Sequence, residues 1–350
     1  MKPASLLIIT QVLDRQDPVL GFFHRWVEEL AACVDRVTVI CLKKGDVNVP
    51  ANVRVHSLGK EAGIVSSWRY AWRFLQALVA CRGTYRTVFV HMNQEYVLLA
   101  GCWWRLVGTR ILLWRNHPSG SWQTRLAVRL AHQVFCTSRQ SFTAKFAKTK
   151  RMPVGIVLPT VDVLNRSRLP NAFLSLGRLS PVKRLELIVA GFAAADLPVD
   201  AHLDLVGDPI PRPIDLSYAE RLDALIATAD PRGACVKRLP GVPPHEALEY
   251  FARYGVFINA TEPGSFDKTI LEAAAQGCLP LVAQDIFQGT EWVYLSQILT
   301  FSGVHSLSRA LERLSRLSDA EQDSLRRQLR AFIERHHSLD RLIQELLPSL

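Results

Sequence analysis

The segment Gly264-Ser-Phe-Asp-Lys-Thr-Ile-Leu-Glu-Ala-Ala-Ala-Gln-Gly277 lies between two apolar runs, Val256-Phe-Ile-Asn-Ala260 and Leu279-Pro-Leu-Val-Ala283. The order is that of a strand, a small-residue loop, a short helix, a glycine stop and a second strand. Gly264 and Ser265, leading through Phe266, Asp267 and Lys268 into a helix, present backbone N–H groups at the positive end of its dipole. Phosphate is the usual occupant of such a cradle. Glu272 stands five residues beyond Asp267, about 7.5 Å further along the helix at ~1.5 Å per residue. A carboxylate at that depth is placed to accept hydrogen bonds from a ribose while the helix tip holds phosphates. An ordinary crossover helix with a serine cap fits the same letters.

A second group of residues follows another apolar run. After Phe173–Leu176 come Gly177, Arg178 and, across a Ser-Pro turn, Lys183. Gly177 permits close backbone approach, and two cations five residues apart can reach one anion. A departing diphosphate needs such neutralisation, although an isolated Arg–Lys pair is more often a pair of solvated loop charges. Gly207-Asp208 follows the run Leu203–Val206, and Leu239-Pro-Gly241 follows Cys235–Arg238, where backbone is available to a flat base. Each signal is weak alone, but four in order at strand ends reinforce one another.

The elements that must position these residues alternate throughout the 350 residues, 49% of which are hydrophobic. Strands are predicted at Leu6–Thr10, Val37–Cys41, Val53–Leu58, Thr87–Met92, Ile111–Trp114 and Gln133–Thr137. They recur at Phe173–Leu176, Leu203–Val206, Cys235–Arg238, Val256–Asn259 and Leu279–Ala283, with amphipathic stretches between. That alternation predicts α/β architecture, with two Rossmann-like, doubly wound domains facing across a cleft. The predicted division is 1–165, 166–325 and a helical tail, 326–350, packing back on the first domain. The polar stretch at Val163–Pro170 marks the join.

Charge is uneven. Residues 1–165 carry 22 Lys/Arg against 9 Asp/Glu, so an anionic surface or substrate is predicted to meet that half. Trp68-Arg-Tyr-Ala-Trp72-Arg73 and Trp103-Trp104-Arg105 set aromatic rings beside arginine. This suits an anionic membrane interface, although Trp68, Trp72 and Leu75 share one helical face and equally suit core packing. The seven cysteines are scattered, with no Cys-x-x-Cys pair, which predicts free thiols in a reducing cytosol rather than disulfides or zinc. The first apolar run is too short for a signal peptide, and no run is long enough to span a membrane. No helix-turn-helix, finger or RNA-binding motif suggests nucleic acid. The chain is therefore predicted to be cytoplasmic, with peripheral contact on the inner face of a plasma membrane.

Taken together, Gly177-Arg178…Lys183, Leu-Val-Gly207-Asp208, Leu-Pro-Gly241 and Leu271-Glu272-Ala-Ala-Ala-Gln-Gly277 resemble glycosyltransferase family 4, which has the GT-B fold. The resemblance covers the second half closely and the first half more loosely, through Ile111-Leu-Leu-Trp114-Arg-Asn-His117-Pro and Phe135-Cys-Thr-Ser138. It implies a retaining, metal-independent enzyme that moves sugar from a nucleotide-diphosphate sugar, UDP- or GDP-linked, to a glycan or lipid-linked acceptor. By resemblance, Arg178 and Lys183 hold the diphosphate, Glu272 the ribose, and backbone around Arg238-Leu239 the base. Gly177, Gly207, Ile270 and Leu271 line the donor site, His117 stands near the reacting centre, and Gly21 is the one first-loop residue available to phosphate. Asn93 and Glu95, after a strand in the first half, are placed near the acceptor. The chain departs from the family at Gly264, where the usual motif has a glutamate eight residues before Glu272. Asp267 or Lys268 then takes over sugar contacts. Two rivals remain: a GT-B epimerase or phosphorylase, and a nonenzymatic protein that docks on membranes.

Overall fold

The computed structural model describes residues 5–17, 19–64, 66–160, 163, 166–230, 233–262, 267–283 and 295–350. It divides into two compact units, Met1–Gly155 with Leu339–Leu350, and Ile156–Ser338. Unit 1 contains β1 (Leu6–Leu13), α1 (Phe22–Cys33), β2 (Val37–Lys44), β3 (Val53–Ser57), α2 (Ser67–Ala80), β4 (Thr87–His91), α3 (Gln94–Leu106), β5 (Arg110–Trp114), α4 (Trp122–Leu130), β6 (Gln133–Cys136) and β7 (Thr149–Arg151). Unit 2 contains β8 (Ala172–Leu176), α5 (Leu185–Ala193), β9 (His202–Val206), α6 (Pro213–Ala229), β10 (Val236–Leu239), α7 (Pro244–Arg253), β11 (Val256–Asn259), α8 (Lys268–Ala275), β12 (Leu279–Val282), α9 (Ser296–Leu299), α10 (Val304–Ser315) and α11 (Asp319–His336). The last helix, α12 (Leu339–Leu346), returns to unit 1.

Both sheets are parallel and Rossmann-like, in the orders β3-β2-β1-β4-β5-β6-β7 and β10-β9-β8-β11-β12. Their strands read as unbroken apolar runs because helices cover both faces. In unit 1, Leu6 and Ile8 face Trp26, Val27 and Leu30 of α1. Leu7 and Ile9 face the opposite side, with Phe74 of α2, Val97 and Trp104 of α3 and Ala127 of α4. This is the two-residue alternation of a strand buried on both sides. In each sheet the strand order reverses once, between β1 and β4 in unit 1 and between β8 and β11 in unit 2. Loops beyond the carboxyl ends of the strands at such a reversal form the natural crevice of an open α/β sheet.

The tail divides differently from the reading of the sequence. Helix α11 stays with unit 2, and only α12 crosses to unit 1, so the boundaries fall at Gly155 and Ser338 rather than at 165 and 325. The reason is local. Arg326 donates to the Gly277 carbonyl at 3.1 Å and Arg330 to the Ala275 carbonyl at 3.0 Å, so α11 places cations on the negative end of α8. At the crossing itself, the Ile156 N–H reaches the His337 carbonyl at 2.8 Å. Beyond it, Leu339, Leu342, Ile343 and Leu346 of α12 are buried against α1 and the sheet. Lys150 pairs with Glu345 at 3.0 Å, and the Thr87 hydroxyl donates to the Leu350 carbonyl at 2.5 Å. Gly155, at φ +79°, is where the chain passes beneath this helix, and a Cβ there would lie 2.7 Å from Leu342 and 2.8 Å from Trp26.

Truncating Leu342 to alanine is predicted to destabilise unit 1 by about 2–5 kcal/mol, the cost of a core cavity. Chemical denaturation followed by a probe in unit 1 measures it, and a loss below about 1 kcal/mol would show that α12 is not part of that core.

Candidate functional site

The reversal point of the unit 2 sheet brings together the loop after β8 and the start of α8. Gly177 follows β8, then comes a turn of 3-10 helix, Pro181–Lys183, and Arg184 enters α5 in the left-handed region at φ +47°. Four hydrogen bonds fix this loop. The Arg184 guanidinium donates to the Ala260 carbonyl at 2.7 Å, tying the loop to the end of β11. The Tyr218 hydroxyl accepts from the Leu185 N–H at 2.7 Å and donates to Glu186 at 2.5 Å. The Leu179 N–H reaches the Asp208 carbonyl at 3.0 Å. The loops after β8 and β9 also touch closely: a Cβ on Gly207 would stand 1.9 Å from the Gly177 carbonyl oxygen, so only glycine fits there.

Asp267 is the hub. It is the N-cap of α8, where its Oδ1 accepts from the Thr269 N–H at 3.2 Å and hydroxyl at 2.7 Å. Its Oδ2 accepts from the Lys183 ammonium, from Asn259 at 2.8 Å and from the Thr261 hydroxyl at 3.2 Å. Burial alone would raise the Asp267 carboxyl. The Lys183 charge, with hydrogen bonds from Lys183, Asn259 and Thr269, outweighs it and holds the group at about 2, below its ordinary 3.8. The Lys183 Nζ also stands beside Gly177, 3.7 Å from where a Cβ would be. Ser175, Gly177, Arg178, Lys183, Asn259 and Ala260 line one pocket here. Arg178 is exposed at its rim and has no ion-pair partner among the described residues. Further along α8, Glu272 pairs with Lys268 at 2.8 Å.

The remaining residues singled out in the sequence fall into three groups. Gly264, Ser265 and Phe266 lie outside the described residues. Ile270 and Leu271 are buried on the inner side of α8, so only their backbone is available to a ligand. The Arg238 guanidinium turns to Asp223 of α6 at 2.7 Å, and the Leu239 carbonyl accepts the Gly207 N–H at 3.0 Å. In unit 1, Gly21 precedes α1 and its N–H is already bonded to the Asp17 carbonyl at 2.9 Å. Asn93 stands at the N-cap position of α3 without a capping hydrogen bond from its side chain, and Glu95 is exposed in the first turn. His117 is exposed beyond β5, with its Nδ1 accepting from the Ser119 N–H at 3.0 Å. The same Nδ1 lies 3.1 Å from the Ser119 carbonyl, so both contacts hold the ring in the loop after β5.

Sequence reasoning missed Asn259, Thr261 and Thr269, which orient Asp267. The available signals were a polar residue closing an apolar strand and a threonine two residues after an N-cap aspartate. It also left unused the buried pair at the reversal point of unit 1. There His91 lies 3.5 Å from the Thr10 hydroxyl and stacks on Phe23 with ring centroids 4.0 Å apart. Burial pushes the His91 imidazole down to about 3, so it is neutral at physiological pH.

Residues 193–348 match a family model described as glycosyl transferase-like. No curated protein sequence matches. Among solved structures, the chain is similar to HepE of Anabaena in complex with UDP-glucose, at 16% identity and TM-score 0.69 over 99% of this chain and 100% of that one. It is similar to sucrose-phosphate synthase of Thermosynechococcus elongatus at 17% identity and TM-score 0.70, covering 97% of each chain. A glycosyltransferase of Rickettsia africae gives 13% identity and TM-score 0.72 over 98% of this chain and 97% of that one. At these identities the likeness is one of fold: two Rossmann-like domains with parallel sheets, the GT-B architecture.

Because the Asp267 carboxyl is held below its unfolded value, its contribution to stability is present above about pH 4 and is lost as pH falls toward about 2. That contribution is on the order of 2 kcal/mol. Asp267→Asn is predicted to destabilise unit 2 at neutral pH, with the gap to wild type narrowing through that acid window. Denaturation at three pH values reads it; a gap that stays constant down to about pH 2 would remove Asp267 from the titrating role.

Proposed function

We propose that this chain is a family 4 glycosyltransferase. It moves sugar, with retention of configuration and without a metal, from a UDP- or GDP-sugar to a glycan or lipid-linked acceptor. Cell-surface polysaccharide or glycolipid synthesis at the cytoplasmic side of a membrane is the setting such an acceptor implies. The observation that carries the reading is the meeting of Arg178, Lys183 and the N-terminus of α8 at the reversal point of the unit 2 sheet. The likeness in fold to a protein that holds UDP-glucose, to a sucrose-phosphate synthase and to a glycosyltransferase supports it.

The residues divide the work as follows. As the bond between the sugar carbon and the diphosphate breaks, negative charge collects on the departing diphosphate. Arg178 and Lys183 are the cations placed to neutralise it. Among the described residues no three His, Cys, Asp or Glu side chains stand together as a metal-holding cluster, and charge neutralisation is assigned to these two side chains. Lys183 must share itself between Asp267 and the incoming phosphate, so Asp267 sets its position and leaves Arg178 as the freely moving clamp. Glu272 is within one and a half turns of the helix tip, and it exchanges its Lys268 partner for the ribose hydroxyls. Gly21, Gly207, Arg238 and Leu239 serve through the backbone framework of the loops. His117, Asn93 and Glu95 belong to the acceptor half.

Lys183→Ala is an ambiguous probe, because it leaves a buried carboxylate unpaired and costs about 3–5 kcal/mol. Arg178→Ala is the clean one. In a thermal-shift panel of UDP-, GDP-, ADP- and dTDP-sugars without metal, one nucleotide class is predicted to stabilise the wild type, by about 2.7 kcal/mol at 100 times its Kd. Arg178→Ala is predicted to melt like the wild type, lose most of that stabilisation and turn over roughly 100-fold more slowly. Unchanged donor binding and turnover in Arg178→Ala would sink the assignment. Product analysis with and without acceptor separates transfer from epimerisation or phosphorolysis.

A further inference from the structure

Helix α2 has two apolar faces. Phe74 and Leu78 point into the core of unit 1, where the Phe74 ring lies 4.6 Å from that of Tyr96 and 6.3 Å from that of Trp104, centroid to centroid. Trp68, Trp72, Leu75 and Val79 recur at intervals of three and four residues and form a second stripe on a different side. None of the four is core: they are exposed at 69%, 59%, 41% and 73%. Scattered apolar residues on a surface are ordinary, but a row of four led by two tryptophans is not. Removing each of these side chains from water is favourable in proportion to its apolar area, and within this chain that area stays exposed.

The surroundings of the stripe are basic. The Arg69 guanidinium lies 5.7 Å from the centre of the Trp68 ring, and Arg73, Arg82 and Arg86 are exposed nearby in sequence. From residue 62 to 161 the chain holds 14 Lys/Arg and one acid, Glu95. In the same helical layer, α4 exposes Trp122 and Leu126 beside Arg125 and Arg129. The other tryptophan pair does not take part. Trp104 is wholly buried, with its Nε1 donating to the Tyr85 hydroxyl at 2.9 Å, and Trp103 packs against the same core.

We propose that α2 is an interfacial anchor that lies flat on an anionic bilayer, with Trp68, Trp72, Leu75 and Val79 at the boundary of headgroups and acyl chains and Arg69 on lipid phosphate. Indole rings suit that depth, with an apolar body and a polar N–H. The helix is about 21 Å long at ~1.5 Å per residue, and no helix among the described residues is long and apolar enough to cross a membrane. A second copy of the chain is the poorer occupant, since it would bring two strongly basic, nearly acid-free surfaces together. The inference rests on the membrane element of the proposed function. It is independent of donor chemistry, because none of these residues belongs to the site in unit 2.

The test mixes the full chain with phosphatidylcholine vesicles, with and without about 30 mol% phosphatidylglycerol, and measures the pelleted fraction at low and high salt. Wild type is predicted to pellet with the anionic vesicles and to be released by salt. Trp68→Ser with Trp72→Ser is predicted to weaken that partition at least roughly tenfold, and Arg69→Glu by roughly tenfold. Both variants change exposed positions, so they are predicted to keep the wild-type melting temperature and donor-induced shift. This separates a membrane defect from failure of the donor site. Wild type that ignores anionic vesicles, or a double tryptophan variant that binds them as well as wild type, overturns the proposal. So does sedimentation showing a dimer that the tryptophan changes abolish, which would give the stripe to a second copy.

Discussion

The carboxylate of Asp267 is the interaction on which the candidate site depends. In one group it joins the loop after β8 through Lys183, the end of β11 through Asn259 and Thr261, and the start of α8 through Thr269. A buried charge with this many donors is stabilising only as a complete set, because removing one partner leaves the others aimed at an unbalanced site. The far end of the same helix is held in a complementary way, by arginines on its terminal carbonyls. Helix α8 is therefore clamped by a carboxylate at its positive end and by guanidinium groups at its negative end, which fixes its axis against the sheet.

The architecture was largely legible in the sequence, for a physical reason. Parallel strands covered on both faces must be apolar along their length, so runs such as Val256–Asn259 and Leu203–Val206 announce themselves. The glycines and cations at the strand ends were legible because loops at those positions need both backbone freedom and charge. The partners of those charges were not. Nothing in the spacing of Asp267 and Lys183, far apart in the chain, says that they meet. The sequence offered Asp267 as a sugar contact, and in the structure its carboxylate is saturated by protein donors. Gly21 was read as a phosphate contact and spends its N–H inside its own loop. The tail was ambiguous because α11 and α12 are both amphipathic, and a pattern of apolar positions shows that a helix is buried without showing against what.

The two tryptophan pairs illustrate the same limit. Trp68/Trp72 and Trp103/Trp104 look alike as letters, each set beside arginine. Helical phase sends Trp104 inward to a hydrogen bond with Tyr85, and leaves Trp68 and Trp72 in water beside a core already filled by Phe74 and Leu78. What separates them is whether a neighbouring residue on the helix has already occupied the inward face.

The path of the chain has a consequence for the order of synthesis. Unit 1 is assembled from Met1–Gly155 and Leu339–Leu350, with the whole of unit 2 translated in between. At ribosomal rates of about 5–20 residues per second, roughly 10–40 s pass before α12 emerges. During that interval Trp26 and Leu30 of α1 lack the leucines that later cover them, and the growing polypeptide carries an open apolar groove. Unit 1 is thus begun before unit 2 and finished after it.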